Sequence, residues 1–380
     1  MRIALLTRRF DSGGGGTERD LIVTAECLRA AGHQITIFAD EIRGDGGEHR
    51  GDWKIVRVGG PRLGRALSLL RFAYAAAPAA RRAGNDLVLS FARCVSADVM
   101  RSGGGAHVSY LRAARKWRGT LGAFSMRLSP YHQVQMLIER QAFRHSGLKR
   151  TIAVSNLVRD DLIREFDLAP EKTVTIYNGV DLEKFRPAAT EIEQTERASI
   201  RQKFVIPASA RVVIFVGNGF ARKGLGFLIE AWPLVAGGAF LLVVGADRAT
   251  EKFARLARDL NVGARVVFAG PQPNVETLFH AADAFALPSI FEPFGNVAME
   301  AMASGLPVMT SALSGVAELI PASMRGFRIE NPTDPGEIAL RLGALFDAPA
   351  NLGSEARAVA ERFTWDRYAT ELNGLIESLK

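Results

Sequence analysis

Glu292-Pro-Phe-Gly-Asn-Val-Ala-Met-Glu300-Ala-Met-Ala-Ser-Gly-Leu-Pro-Val308 packs a loop, a helix and a strand into one short run. Pro293 and Gly295 bound a loop, and helical spacing begins near Asn296. Gly305 stops the helix, and residues 306–310 read as a buried strand. A helix that feeds straight into an apolar strand is the repeating step of a helix-covered parallel sheet. The run also carries two carboxylates eight positions apart, Glu292 in the loop and Glu300 in the helix. A loop acid, the N–H groups of a helix start and a second acid on the same crevice suit a ligand that joins hydroxyls to phosphate. Helix N-termini favour anions, and carboxylates accept hydrogen bonds from hydroxyls. The same spacing also fits an ordinary amphipathic helix with Glu300 in solvent.

Outward from this run, short apolar segments alternate with helical patterns twice over. Residues 3–7, 35–39, 55–58, 87–91, 151–154 and 174–177 read as strands in the first half, with 18–31 and 125–145 as helices. A charged helical stretch follows Pro187, and the alternation restarts at 212–216, 240–244, 266–269, 284–287 and 308–310. The pattern predicts two α/β domains with a hinge near residues 180–187. Open parallel sheets bind ligands at the carboxyl ends of their strands, so a cleft between the domains is the expected site. A chain of 380 residues with 48% apolar content has enough to build two cores. Trp365, Tyr368, Leu372, Leu375, Ile376 and Leu379 have helical spacing, and taken alone they would pack on the second domain.

No apolar run approaches the ~18 residues of a membrane span, and residues 1–10 lack the apolar core of a signal peptide. Cys27 and Cys94 are the only cysteines; they offer neither a disulfide framework nor a zinc site, which fits a reducing, cytoplasmic setting. The net charge is +8, yet residues 101–150 alone hold ten Lys/Arg against one acid, Glu139. Such clustering implies an anionic partner: nucleic acid, acidic lipid or a phosphorylated glycan. No RNA- or DNA-reading motif supports the first.

Three glycine-bearing turns carry candidate chemistry. Val212–Val216 runs into Gly217-Asn-Gly-Phe-Ala-Arg222-Lys223-Gly224 and then a helix, an arrangement suited to a diphosphate, with Arg as a planar fork and Lys as a point charge. An exposed Arg-Lys pair is also often simply solvated. Gly13-Gly14-Gly15-Gly16-Thr17-Glu18-Arg19-Asp20 makes a poor dinucleotide fingerprint, because Glu18 stands where the third glycine belongs; Asp40 alone would suit a ribose. Arg19 and Asp20 fit a capping and pairing set as well. Arg101-Ser-Gly103-Gly104-Gly105-Ala-His107 puts a histidine after a flexible turn, where it can bond a sugar or act near neutral pH. Between Leu111 and Gln133, Arg112, Arg115, Lys116, Arg118 and Arg127 interleave with Trp117, Leu121, Phe124 and Leu128. The mixture suits an anionic membrane interface or a solvated helix face.

Glu292-x7-Glu300, the Arg222-Lys223 pair and the glycine loop together resemble the retaining glycosyltransferases of family four, which have the GT-B fold: two Rossmann-like doubly wound α/β domains facing an interdomain cleft. The resemblance spans nearly the whole chain and is strongest over 212–308. It implies an acceptor-binding domain at 1–183, a nucleotide-sugar-binding domain at 184–362, and a helix at 363–380 that returns to the first domain. Arg222 and Lys223 would neutralise the departing diphosphate. Glu292 would bind sugar hydroxyls and Glu300 the ribose. Backbone N–H groups near Phe294, Gly295 and Asn296 would hold sugar or phosphate, and Gly14, Gly15 and Gly16 would close over the donor. His107 would orient the sugar and stabilise charge, since the family lacks an evident nucleophile. The segment from Asn178 to Pro187 matches the interdomain segment bordering the donor. Pro271-Gln-Pro-Asn-Val275 sits where base-recognition loops sit, but with prolines and Gln272 where relatives carry Arg or Lys. With no Asp-x-Asp present, no metal is expected. The basic first half further resembles lipopolysaccharide-core hexosyltransferases. That implies glucose moved from UDP-glucose to a lipopolysaccharide core at the cytoplasmic face of the inner membrane, with the enzyme peripherally attached. The alternatives are GDP-mannose or another sugar nucleotide with a different lipid-linked glycan, or a non-catalytic sugar-nucleotide-binding protein.

Overall fold

A computed structural model describes the chain except for residues 12–14, 44–48, 51–52, 61–63, 189, 236–237 and 350. It forms two compact units, Met1–Asn178 with Trp365–Lys380, and Gly179–Thr364. Among the described residues, no helix is long and apolar enough to cross a membrane.

The first unit is built on strands β1 (Arg2–Asp11), β2 (Gln34–Arg43), β3 (His49–Arg50), β4 (Trp53–Arg57), β5 (Leu87–Ser90), β6 (Val99–Ser102), β7 (Arg150–Ala153) and β8 (Thr173–Thr175). They align as β3-β4-β2-β1-β5-β6-β7-β8, parallel except for the antiparallel β3–β4 pair. Helices α1 (Gly16–Ala30), α2 (Arg65–Arg82), α3 (His107–Leu128), α4 (Pro130–Phe143) and α5 (Asn156–Phe166) supply the crossovers. Ile3, Leu5, Ile37, Leu89 and Ile152 are fully buried with Leu21 and Leu28 of α1, as expected of strands covered on both faces.

Two local readings change. Arg101 and Ser102 lie in strand β6, not in a turn, and all four residues of that strand are buried. A buried arginine disguises the strand; its charge is met by Asp20 and Asn178. The single helix expected over 125–145 is two helices, because Pro130 opens α4 and forces Ser129 into an extended conformation (φ −62°, ψ 126°).

The second unit starts with α6 (Glu191–Lys203), whose Thr190 and Glu193 form a capping box. Strands β9 (Val212–Val216), β10 (Phe240–Val244), β11 (Val266–Gly270), β12 (Ala284–Leu287) and β13 (Val308–Thr310) form a parallel sheet in the order β11-β10-β9-β12-β13. They alternate with α7 (Leu225–Ala231), α8 (Thr250–Asp259), α9 (Val275–His280) and α10 (Asn296–Ala303). Helices α11 (Pro335–Phe346) and α12 (Leu352–Ala360) close the unit. The strand order reverses between β9 and β12, and the carboxyl ends of strands at such a reversal are where open parallel sheets take their ligands.

The last helix, α13 (Trp365–Glu377), belongs to the first unit. Tyr368, Leu372 and Ile376, one turn apart, join the first core, and each buried aliphatic side chain contributes roughly 1.5–3 kcal/mol. The Tyr368 hydroxyl lies 2.7 Å from that of Thr24 on α1.

Candidate functional site

In the second unit the loops after β9 and β12 carry the cations and the first carboxylate. Ile290 N–H donates to the Arg222 carbonyl at 2.9 Å, stitching the two loops. Gly224 makes that approach possible: a Cβ there would sit 2.0 Å from the Pro288 carbonyl oxygen, and its φ is +79°. The side chains then converge. Lys223 Nζ donates to Glu292 Oε2 at 2.7 Å, and Arg222 Nη1 donates to the same oxygen at 3.1 Å and to the Phe291 carbonyl at 2.5 Å. Burial alone would raise the Glu292 pKa, but the Lys223 and Arg222 charges and hydrogen bonds outweigh it and hold the carboxyl at about 2. Glu292 is therefore ionised throughout the physiological range, and both cations meet its Oε2, leaving Oε1 as the oxygen not engaged by them.

The loop running on from Glu292 is fixed by a second segment. Gly315 N–H donates to the Glu292 carbonyl at 3.0 Å, and Val316 N–H donates to that of Phe294 at 2.7 Å. Phe294 is buried, and Gly295 turns the chain into α10 with φ +102°, a conformation closed to most side chains. Asn296 is the first residue of α10, as its spacing predicts, and Glu300 lies about one turn further in and is buried. The structure thus gathers Arg222, Lys223, Glu292, Phe294, Gly295, Asn296 and Glu300 within one unit. Gln272 spends its side-chain amide on the Ala269 carbonyl at 2.6 Å.

The first unit holds the remaining candidates. Gly14 lies outside the described residues. Gly15 precedes α1 and Gly16 is its first residue, with no side-chain cap. Asp20 is buried, and its carboxylate accepts from Arg101 Nη2 at 2.9 Å and Asn178 Nδ2 at 3.1 Å, the pairing that the sequence allows. Asp40 is likewise engaged, by Arg8 and Arg71.

His107 opens α3 and is buried. Its Nε2 lies 2.9 Å from His132 Nδ1, and its backbone N–H donates to Glu139 Oε2 at 2.8 Å. Glu139 is in turn paired with Arg93. Burial, then the charges of Arg93 and His132, push the His107 pKa down to about 3, so its ring is neutral. Burial raises the Glu139 carboxyl despite Arg93. His132 and Glu139 lie two helical turns apart on one face of α4, and both grip His107. Neither was a site candidate from the sequence, because only the packing of α4 on α3 brings them to His107; α4 carries other polar residues as well, so the i, i+7 spacing of the two is a weak signal.

The second arm of α3 differs in character. Gly119, with φ +70° and ψ 176°, breaks the helix. Beyond it, Leu121, Phe124 and Leu128 are 84%, 62% and 63% exposed at helical spacing. Arg112 is bound by Glu165 at 3.0 and 3.4 Å. Among the described residues no carboxylate pairs with Arg115, Lys116, Arg118 or Arg127.

Residues 14–184 match the family described as Glycosyltransferase Family 4, and residues 196–361 match Glycosyl transferases group 1. A D-inositol 3-phosphate glycosyltransferase of Corynebacterium aurimucosum is 30% identical over 65% of this chain and 60% of that protein. The chain spans about three-fifths of the length of the curated relatives it matches. Among solved structures, WaaG, a glycosyltransferase involved in lipopolysaccharide biosynthesis, superposes with TM-score 0.82 at 23% identity over 98% of this chain and 99% of that one. HepE of Anabaena, in complex with UDP-glucose, superposes with TM-score 0.74 at 20% identity over the whole of both chains.

Proposed function

We propose, for a chain whose halves match the family 4 and group 1 glycosyltransferases and whose fold is GT-B, that it is a retaining hexosyltransferase that moves glucose from UDP-glucose to a lipopolysaccharide core acceptor. The observation that carries this reading is the convergence of Arg222 and Lys223 on Glu292 at the strand-order reversal of the second unit, where a parallel sheet takes its ligand. Two fixed cations there are arranged to stabilise charge developing on a departing diphosphate, where a preorganised donor is worth most. Glu292 keeps them in place, and its Oε1 is directed to sugar hydroxyls. Glu300 binds the ribose, and the backbone from Phe294 to Asn296 holds sugar or phosphate. Gly14, Gly15 and Gly16 close over the donor, and His107, neutral and buried, orients the sugar.

Because Arg222 and Lys223 supply the positive charge, turnover proceeds without a divalent metal and survives a chelator. The acceptor is met at an anionic cytoplasmic membrane face, which the second arm of α3 engages. The test is a screen for nucleotide release from UDP-, GDP- and ADP-sugars, with and without purified core acceptor; release that is fastest with UDP-glucose plus core supports the reading. The sequence relatives named as D-inositol 3-phosphate glycosyltransferases favour a second one, with a phosphorylated polyol as acceptor. Including D-inositol 3-phosphate among the acceptors separates the two.

A further inference from the structure

We propose that His132 is a positioning residue for His107: it occupies Nε2 and, by its own protonation, decides whether the other ring nitrogen of His107 accepts or donates a hydrogen bond. The proposal rests on the reading that His107 meets the donor sugar. Its grounds are geometric. The two rings stack with centroids 5.0 Å apart, and Nε2 of one lies 2.9 Å from Nδ1 of the other. A bond this short needs one hydrogen between two ring nitrogens. His107 is buried while His132 is half-buried, so water reaches the pair through His132. The His107 backbone is anchored to Glu139 on the same helix face, so α4 holds both the ring and the chain of His107.

When both rings are neutral and His107 carries its hydrogen on Nε2, His132 Nδ1 accepts it and His107 Nδ1 offers a lone pair to a hydroxyl. When His132 takes up a proton, both of its nitrogens carry hydrogen. His107 Nε2 must then accept, and its own hydrogen moves to Nδ1, which becomes a donor. One proton enters, and the charge rests on the half-buried ring. The groups facing the pair are Arg93, Glu139, Arg118, Tyr110 and Tyr131. Burial and then Arg118 lower the His132 pKa, which places this change below the usual histidine range.

The chain has six histidines, few enough to follow each imidazole by 15N NMR in the full-length, 15N-histidine-labelled protein. Acidification of the wild type is expected to protonate His132 while His107 stays neutral and transfers its hydrogen from Nε2 to Nδ1. His132→Asn places an amide near the Nδ1 position and keeps the fold, but it does not titrate, so the transfer in His107 is lost; His132→Phe loses it as well. With UDP-glucose as probe, His132→Asn is expected to lose the acid limb of the kcat profile with KM unchanged. His107 nitrogens that respond to pH identically in wild type and His132→Asn, or not at all, overturn the proposal. His107→Phe with full transfer activity, beside an intact coupled titration in the wild type, instead removes His107 from the sugar and leaves the pair standing.

Discussion

Glu292 is the residue on which the candidate site turns, because one carboxylate oxygen serves two cations. Replacing Arg222 or Lys223 by Ala is expected to slow turnover by ~100- to 1000-fold, the usual effect of losing one donor to a developing charge; steady-state rates of both variants check this, and near-wild-type rates would remove the pair from the mechanism. The same ion pairs make a stability prediction. The Glu292 carboxyl is held at about 2 against an ordinary 4.5. Its stabilising contribution is therefore complete above pH 4.5 and is lost as the pH falls towards 2. Urea unfolding from pH 6 downward should show the wild type losing this increment, whereas Glu292→Gln starts less stable and lacks that portion of the slope. Parallel pH profiles for the two would contradict it. The convergence of Arg222, Lys223 and Glu292 was legible in the sequence because Gly217, Gly219, Gly224, Pro293 and Gly295 mark the loops that follow two apolar strand patterns, and Glu300 was legible from its spacing into the next helix. His132 and Glu139 were not, since they reach His107 across 25 and 32 residues through the packing of two helices.

At the scale of elements, the end of α6 carries a mismatch between residue and backbone. Val205 follows the helix with φ +55° and is exposed, while Ile206 N–H donates to the Arg201 carbonyl at 2.8 Å and Val205 N–H to that of Gln202 at 3.0 Å. These are the two bonds of a Schellman ending, whose left-handed position suits glycine and strains a β-branched side chain by about 1–2 kcal/mol. Val205→Gly is therefore expected to raise stability by up to about 1 kcal/mol once the added freedom of the unfolded glycine is deducted; a lowered midpoint in chemical denaturation would refute the strain. Strand β6 poses the opposite problem. Asp20→Ala leaves Arg101 buried without its carboxylate, and breaking such a pair costs about 3–5 kcal/mol, measurable in the same assay, while a loss under 1 kcal/mol would mean that Asn178 suffices. This network also explains what the sequence hid. Apolar runs announced most strands, but β6 carries a charge whose partners come from α1 and from the segment after β8, and no local pattern reveals them. The break at Pro130, in contrast, is written in the sequence, but helical periodicity that continues on both sides of it masks it.

Across the whole molecule, the charge is the property that composition made plain and local packing refines. The +9 of residues 101–150 exceeds the net charge of the chain, +8, but its members are not equivalent. Arg112 is held by Glu165, and Arg93 pairs with Glu139 nearby. Arg115, Lys116, Arg118 and Arg127 are exposed around the kinked second arm of α3, where Leu121, Phe124 and Leu128 also face solvent. Arg115 and Arg127 border a groove of about 520 Å³ that is also lined by Leu111, Ala123, Phe124 and Met136. Cations on both arms of α3, beside apolar side chains exposed on the second arm, would suit an interfacial segment in which the apolar residues enter the boundary and the cations meet anionic head groups. Each such charge contributes ~1 kcal/mol near an anionic surface, and the attraction weakens as salt shortens a screening length of ~8 Å at physiological strength. Reversing Arg115, Lys116, Arg118 and Arg127 to Glu, with Arg112 left in place because its loss would also free Glu165, is expected to release the protein from phosphatidylglycerol vesicles at low salt. Affinity for free UDP should be unchanged, since the proposed nucleotide site belongs to the other unit. Leu121→Ser with Phe124→Ser should weaken vesicle binding even where the charges remain, which separates insertion from simple attraction. Equal vesicle sedimentation by wild type and the charge-reversed variant at low salt would make this arm an ordinary solvated helix and withdraw the membrane from the proposed function.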